Sequence, residues 1–563
     1  MHEIPASATG KLRDFAEAGM IGLADYHLAR RMSRGFETDE DVVLAFALAV
    51  RELRLGSVCL VLDDVRSLKP DTDVDDGSVG ADPRSLDWPD GTTWPDRIAA
   101  SPLVGPDRPF ILDDGRLYLA RFHAQERAVA EALARRRGLP LDDFVAPLPN
   151  TDEPDAQQDA AVVAAMRHRT AVVTGGPGTG KTTTVVRILN SLAQAGPLRI
   201  ALAAPTGKAA RQLHDAVMGR LRPGASLGEP FSGTLHRLLG KSVRGPRAVH
   251  DADNPLPHDV VVLDEVSMVS LEHMASLLAA LTPATRLLLV GDPHQLRSVE
   301  AGAVLADIVA NPGLLQSGSV VELATNRRSN QEIAALARAI HDGDASRALE
   351  LVDAARTIAW YDYDGEGVHA LGQFRSDVTA QVAEVASAAA RDDARAALDA
   401  LGRHRVLCAH RLGPFGVQGW ARAAREMGAE IVDGYGRGEH YVGQPLLVTH
   451  NSDTFSNGDV AVIVASHGAL LAAVDQGPEP LRVAPVLLDN AVDLHAMTIH
   501  KAQGGSYDRV SVVLPPADSP LATRELLYTA VTRARKELRI YGTRRAFLQA
   551  IATPVRRASG LAG

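Results

Sequence analysis

Two cysteines among 563 residues exclude a disulfide-stapled scaffold. Cys59 and Cys408 are also too few for a zinc ribbon or an iron–sulfur cluster, which take about four ligands. Their scarcity fits a reducing compartment. Positive charge is short as well: the net charge is −10, so the chain is not a globally basic nucleic-acid coat, and any such contact is confined to a local groove. No run of about 18 apolar residues suggests a membrane span. The opening Met1-His2-Glu3 lacks the basic, then apolar start of a secretory signal. The expected location is therefore cytoplasmic, with no membrane partner. Lysine is the rarest cation, seven of 59 basic residues. Three of the seven, Lys181, Lys208 and Lys501, sit in the motifs considered below, where a compact ammonium is not replaced by a guanidinium fork.

The apolar content, 46%, is ample for packed cores, and at about 150 residues per domain the length makes three or four of them. Residues 1–130 read as a first, mixed α/β unit. Apolar spacing predicts a helix over 38–53 capped by Thr38, a strand over 57–62, and a strand followed by a helix over 116–137. Between them, residues 63–97 carry ten Asp against four basic residues and read as a solvated loop. Pro140, Pro147, Pro149 and Pro154 mark a linker over 131–155. From 156 to 321 short apolar runs at 171–174, 199–204, 259–263 and 286–290 alternate with helical segments, the pattern of a parallel sheet covered on both faces. A second α/β unit occupies 322–563. Within it, residues 430–490 change to alternating β-type runs with an Asn457-Gly458-Asp459 turn, a small β insertion.

The chemistry gathers at the strand ends. Gly175-Gly176-Pro177-Gly178-Thr179-Gly180-Lys181-Thr182 follows the first apolar run, and its glycines let backbone N–H groups turn inward around phosphate oxygens. Lys181 reaches the β- and γ-phosphates of a nucleoside triphosphate, and the Thr182 hydroxyl ligates Mg²⁺. The run 260–263 ends in Asp264, which completes the metal site, and Glu265, placed to orient the attacking water. Gln158 has an amide suited to the adenine edge and hence to ATP. Gly291-Asp292-Pro293-His294-Gln295 puts an amide, Gln295, where it senses the γ-phosphate. Arg327 and Arg533 are candidates for guanidinium groups supplied from the second unit. Thr206, Lys208 and Arg211 after the second strand, His236 in Thr234-Leu235-His236, and Thr498 and His500 in Met497-Thr498-Ile499-His500-Lys501 are candidate phosphate-backbone contacts. Gln503 and Gly504, a few residues on, lie near the nucleotide. With aromatics at 4%, base stacking falls to Phe415, Trp420 or His450, each better suited to a core than to a platform.

The phosphate loop, the carboxylate pair, Gly-Asp-Pro-His-Gln, Thr-Ile-His-Lys-Ala-Gln-Gly and the 528–535 segment Tyr-Thr-Ala-Val-Thr-Arg-Ala-Arg occur in the order used by superfamily 1 helicases. Within these the chain most resembles the RecD family, alpha subunits of the RecBCD helicase–nuclease (exodeoxyribonuclease V). Residues 57–60, 116–121, 413–417, 456–460 and 524–528 add to the likeness. The resemblance implies two RecA-like P-loop parallel-sheet domains with ATP between them and an SH3-like insertion. It also implies a 5′→3′ DNA motor acting on single-stranded and duplex-end DNA, and docking of residues 1–130 onto RecB- and RecC-like subunits in a heterotrimer that processes double-strand breaks. A helicase-associated nuclease needs an acidic residue two positions before a lysine. Those positions are Thr9, Ser67, Thr179, Thr206, Leu239, Ile499 and Ala534, so strand cleavage is expected in a partner. Two alternatives stay open on the sequence: a free-standing superfamily 1 DNA or RNA helicase, and an assembly scaffold regulated by ATP.

Overall fold

The computed structural model describes residues 5, 7–70, 85–139, 155–221, 229–241, 248–326, 330–452 and 454–562. The first unit is built around the helix Glu40–Arg54, whose residues from Val42 to Val50 are all buried. Its cap is Asp39, which accepts from the Asp41 N–H at 3.0 Å. The expected cap, Thr38, lies one residue outside it, because the carboxylate also reaches Arg97. Against this helix packs an antiparallel sheet, β1 (Cys59–Val61), β2 (Phe110–Asp113) and β3 (Arg116–Leu119), in the order β1-β3-β2. Phe46 and Phe110 stack at 4.1 Å. The loop expected over 63–97 holds a 3-10 turn, Leu62–Ser67, and the helix Trp94–Ala100. Its residues 71–84 lie outside the described residues.

The helix Ala120–Arg137 runs past the expected unit boundary at 130 and takes up the start of the expected linker. The remainder of that linker, 140–154, lies outside the described residues. Arg136 explains the continuation. Its guanidinium is buried and donates to Thr170 Oγ1 and to the carbonyls of Arg169, Thr282 and Thr285, which fixes the first unit to the second sheet.

That sheet comprises β4 (Thr170–Gly175), β5 (Ile200–Ala204), β6 (Phe231–Thr234), β7 (Val260–Leu263), β8 (Arg286–Gly291) and β9 (Val320–Leu323), all parallel, in the order β6-β5-β7-β8-β4-β9. The expected boundary at 321/322 cuts β9, which pairs with β4, so the first lobe extends through Leu323. The second lobe has a parallel sheet of β10 (Ile358–Tyr361), β11 (His404–Cys408), β17 (Met497–Thr498), β18 (Tyr507–Val513) and β19 (Ala534–Tyr541), in the order β10-β19-β18-β11-β17. Between β11 and β17 a separate antiparallel sheet forms from β12 (Pro445–Val448), β13 (Val460–Ser466), β14 (Ala469–Val474), β15 (Leu481–Val483) and β16 (Ala491–Asp493). The insertion therefore begins after 431, where the helix Val417–Ile431 ends, and extends to Asp493.

The chain's end departs from the expected division. Beyond the helix Arg544–Ala552 it leaves the second lobe and returns to the first unit. Ala558 O accepts from the Val58 N–H at 2.7 Å. Glu126 accepts from the Ser559 hydroxyl at 2.9 Å and from the Gly560 N–H at 3.0 Å. Leu561 is buried in the core shared by both units. No helix among the described residues is long and apolar enough to cross a membrane.

His404, in β11, is buried with Nε2 2.9 Å from Ser511 Oγ. Burial, then Arg509, Arg405 and Arg539, push its imidazolium down to about 3. Unfolded, the ring protonates near ~6.5, so its contribution is fully present above that pH and is lost as pH falls, by about 2 kcal/mol at pH 5. His404→Gln is expected to flatten the fall in Tm between pH 7 and pH 5, measured by thermal unfolding.

Candidate nucleotide cleft between two lobes

In the first lobe β7, β8 and β4 are neighbours, so three segments far apart in sequence leave the sheet side by side at its carboxyl edge, where ligands collect in such sheets. Gly175 closes β4 with φ 151°, and a Cβ there would lie 2.5 Å from Leu323 O. Only glycine lets the loop turn at that point. The loop then runs to Gly180, φ 91°, which caps the helix Lys181–Leu192. Lys181 Nζ donates to Gly175 O at 2.5 Å and Gly176 O at 3.0 Å, and Thr179 Oγ1 donates to Gly176 O at 2.9 Å. Gln158 is buried at the start of the helix Ala156–Arg167 with its Nε2 against Gly180. Its Oε1 accepts from Arg187 at 3.4 Å.

At the end of β7, Asp264 Oδ1 accepts from the Glu265 N–H at 2.8 Å. Glu265 has φ 52°, a left-handed conformation that a side chain with a Cβ rarely adopts. Burial, then the Glu265 carboxylate, push the Asp264 carboxyl up to about 7, with Lys181 opposing. At the end of β8, Gln295 is buried and its Nε2 donates to Asp292 Oδ2 at 2.9 Å.

The second lobe presents the opposite edge, the segments that lead into β18 and β19. Gly504 has φ 74°, and a Cβ on it would lie 3.9 Å from Glu265 Oε1. Arg533 is buried, its guanidinium held by Gly505 O at 3.0 Å and Thr529 O at 3.1 Å. One cavity of about 1600 Å³ is lined by Gln158, Lys181, Thr182, Asp264, Glu265 and Gln295 from one lobe and by Gly504 and Arg533 from the other. Pro177, Gly178 and Gly180 complete its phosphate-loop wall.

Three family profiles match: an AAA domain over residues 153–363, a UvrD-like helicase C-terminal domain over 493–541, and the RecBCD enzyme subunit RecD, N-terminal domain over 17–118. The chain is 42% identical over 578 residues to RecBCD enzyme subunit RecD of Mycobacterium tuberculosis (strain ATCC 25618 / H37Rv), covering 99% of this chain and 97% of that one. The chain belongs to the RecD family. It is an ATP-dependent DNA helicase, a subunit of the RecBCD type. RecD of Haemophilus influenzae is 31% identical over 73% of this chain and 73% of its own. Among solved structures, Pif1 helicase from Bacteroides in complex with ADP-AlF3 and ssDNA is similar at 16% identity and TM-score 0.39, over 70% of this chain and 94% of that one.

The other candidate residues have varied surroundings. The Arg211 guanidinium meets the buried Asp459 of the insertion at 3.3 Å. Lys208 lines the nucleotide cavity. Thr206 caps the helix Gly207–Met218, and a Cβ on Gly207 would collide with Ser456 of the insertion. This helix start is thus covered by the β insertion. His236 is exposed with its ring 4.3 Å from that of His273. Thr498 Oγ1 accepts from the Lys501 N–H at 3.3 Å, and His500 is partly buried beside Arg411 and Arg557. Neither lines the cavity. Trp420 is wholly buried, donating to Pro414 O at 2.9 Å among Tyr363, Phe374 and Tyr541, so it is core and not a stacking platform. Phe415 packs on Tyr363 at 5.4 Å, and His450 is exposed. Gln503 Nε2 donates to Leu296 O at 2.8 Å, which makes it a bridge between lobes. Arg327 lies outside the described residues.

The sequence reading missed Asn326, whose Nδ2 donates to Pro177 O at 3.1 Å, and Gln157, whose Oε1 accepts from the Ala324 N–H at 2.9 Å. Both are polar residues next to ones already singled out, and adjacency was the only signal. Gly175→Ala is expected to lower affinity for an ATP analogue at least tenfold and to depress Tm, since the added methyl meets backbone. Titration with a fluorescent analogue and thermal unfolding check both.

Proposed function

We propose that this chain moves 5′→3′ along single-stranded DNA by hydrolysing Mg²⁺-bound ATP in the cleft, as one motor of a heterotrimer with RecB- and RecC-like subunits at duplex ends. The observation that carries this is the single cavity shared by Lys181, Asp264 and Glu265 of one lobe with Gly504 and Arg533 of the other. The phosphate loop and Lys181 hold the β- and γ-phosphates, and Gln158 meets the adenine edge. Asp264 and Thr182 hold Mg²⁺. The donor set fits: two oxygen ligands, one a carboxyl whose charge is disfavoured by burial and by Glu265 and would be relieved by a cation. Bound there, the cation neutralises charge on the phosphate oxygens.

Glu265 orients the water whose oxygen bonds to the γ-phosphorus as the bridging bond to ADP breaks. The bond's electron pair leaves with ADP, and the water proton passes to solvent by way of the Glu265 carboxylate. Arg533 stabilises the charge that develops on the transferring group, and the buried carbonyls of Gly505 and Thr529 hold it in place. Gln295 contacts the γ-phosphate. Arg327 is proposed as a second guanidinium on sequence alone.

Lys501, exposed beside Arg411 and His500, makes a local basic patch on a chain of net charge −10. We assign the DNA backbone to this patch and to Thr498, with His236 on the first lobe. The partner subunits dock on the first unit and carry the nuclease.

Lys181→Gln is expected to abolish hydrolysis, because the γ-phosphate loses its fixed counter-charge. Glu265→Gln should bind ATP with near-parent affinity and turn it over at least ~100-fold more slowly. Steady-state ATPase and analogue binding separate the two, and turnover by either variant near the parent rate refutes the reading. Duplexes carrying only a 5′ or only a 3′ tail test polarity: unwinding confined to the 3′-tailed substrate would overturn it.

A further inference from the structure

Gln295 is 2% exposed, and its Oε1 has no hydrogen-bond partner among the described residues. The other end of the amide is fixed by the 2.9 Å bond to Asp292 Oδ2, which leaves the carbonyl oxygen as a buried, unpaired polar atom of a residue that lines the cavity. Asp292 is itself fully buried. Its Oδ1 accepts from the His294 N–H at 3.0 Å, and its Oδ2 accepts a further bond, 3.1 Å, from the hydroxyl of Tyr528 in the second lobe.

The Tyr528 contact is built into the lobe interface. Tyr528 lies on the helix Arg524–Val531. The next residue, Thr529, accepts the Leu296 N–H on its Oγ1 at 2.9 Å, and its carbonyl accepts from Arg533 Nε at 3.1 Å. The same helix therefore grips the loop after β8 and holds the guanidinium proposed for the γ-phosphate. A Cβ on Gly176 would lie 3.0 Å from the Tyr528 hydroxyl, so the ring also stands against the phosphate loop. Burial, then Asp292, hold the phenol well above its ordinary range, so it stays a donor at working pH. Packing alone would be met by phenylalanine. The hydroxyl supplies a donor to a buried carboxylate, and such a bond contributes more than a neutral one.

We propose that Tyr528 is a positioning residue for ATP hydrolysis: through Asp292 it holds the Gln295 amide with its carbonyl oxygen toward the γ-phosphate and its attacking water, and does so only while the two lobes are together. This rests on the motor reading above. Loss of the hydroxyl leaves Asp292 held by its own loop alone, through the His294 N–H and the Gln295 amide, so the amide's orientation is fixed less tightly and no longer by the second lobe. Substrate binding, made by the phosphate loop, is untouched. The consequence is a defect in turnover, not in affinity.

The test uses the full-length chain with saturating single-stranded DNA and measures kcat and KM for ATP. Tyr528→Phe is expected to lower kcat about tenfold with KM within about twofold and Tm within about 2 °C. Gln295→Ala alone should lower kcat at least as far, and adding Tyr528→Phe to it should lower kcat no further. An unchanged kcat in Tyr528→Phe, a rise in KM in place of a fall in kcat, or losses that multiply in the double variant would each overturn the assignment. Lys181→Gln, run alongside, separates the two readings. If it abolishes hydrolysis while Tyr528→Phe does not slow it, the motor stands and the positioning role falls.

Discussion

One buried carboxylate ties the two lobes together. Asp292 has no exposure to solvent, and a charge in that position is stable only with its lone pairs occupied. Two of its donors, the His294 N–H and the Gln295 amide, belong to its own loop, and the third, Tyr528, belongs to the opposite lobe. Leu296, just beyond, has both of its backbone groups bound by the second lobe: its N–H by Thr529 and its carbonyl by Gln503. The loop that carries Gln295 is thus held by atoms that belong to the other lobe. A change in the cleft cannot leave that loop where it was, which is the property a machine coupling hydrolysis to movement requires.

How much of this was legible in the sequence follows from where each partner lies. The phosphate loop, the carboxylate pair and the Gly-Asp-Pro-His-Gln segment are contiguous strings whose chemistry is local, and parallel strands deliver them to one edge without further information. Two α/β lobes and a β insertion were readable for the same reason, from apolar runs and a turn. Arg211 was not readable. A cation after a strand end carries no sign of its partner Asp459, which the fold brings to it from 248 positions along the chain. Trp420, better suited to a core than to stacking on its sequence, is enclosed by neighbours from Tyr363 to Tyr541. The departure of the last residues from the second lobe had no periodicity to announce it, since Ala558, Ser559 and Gly560 are held by the Val58 N–H, the Ser57 hydroxyl and one carboxylate, Glu126.

The cleft also concentrates local costs. Glu265 adopts φ 52°, and the Asp264 carboxyl is driven up to about 7. Each opposes folding by an amount of order 1 kcal/mol or more. They persist because the strands beneath them, β4, β7 and β8, are buried at nearly every position and over-determine the backbone. The carboxyl whose charge burial disfavours is the one proposed to hold a cation, which would compensate it.

The chain crosses between the lobes more than once. It leaves the first at Leu323, where Gln157 holds the next two backbone N–H groups, and returns after Ala552. On that return Arg557 donates to Glu300 O and Gly302 O, a few residues beyond Gln295, and Ala558 joins Ser57 and Val58 of the first unit. A body held at one covalent point can swivel in any direction, whereas one held at two separated points retains chiefly rotation about the line that joins them. The first unit, fixed to the first lobe through Arg136, thereby anchors the second lobe by its tail. Fewer directions of motion are then left to the second lobe relative to the first.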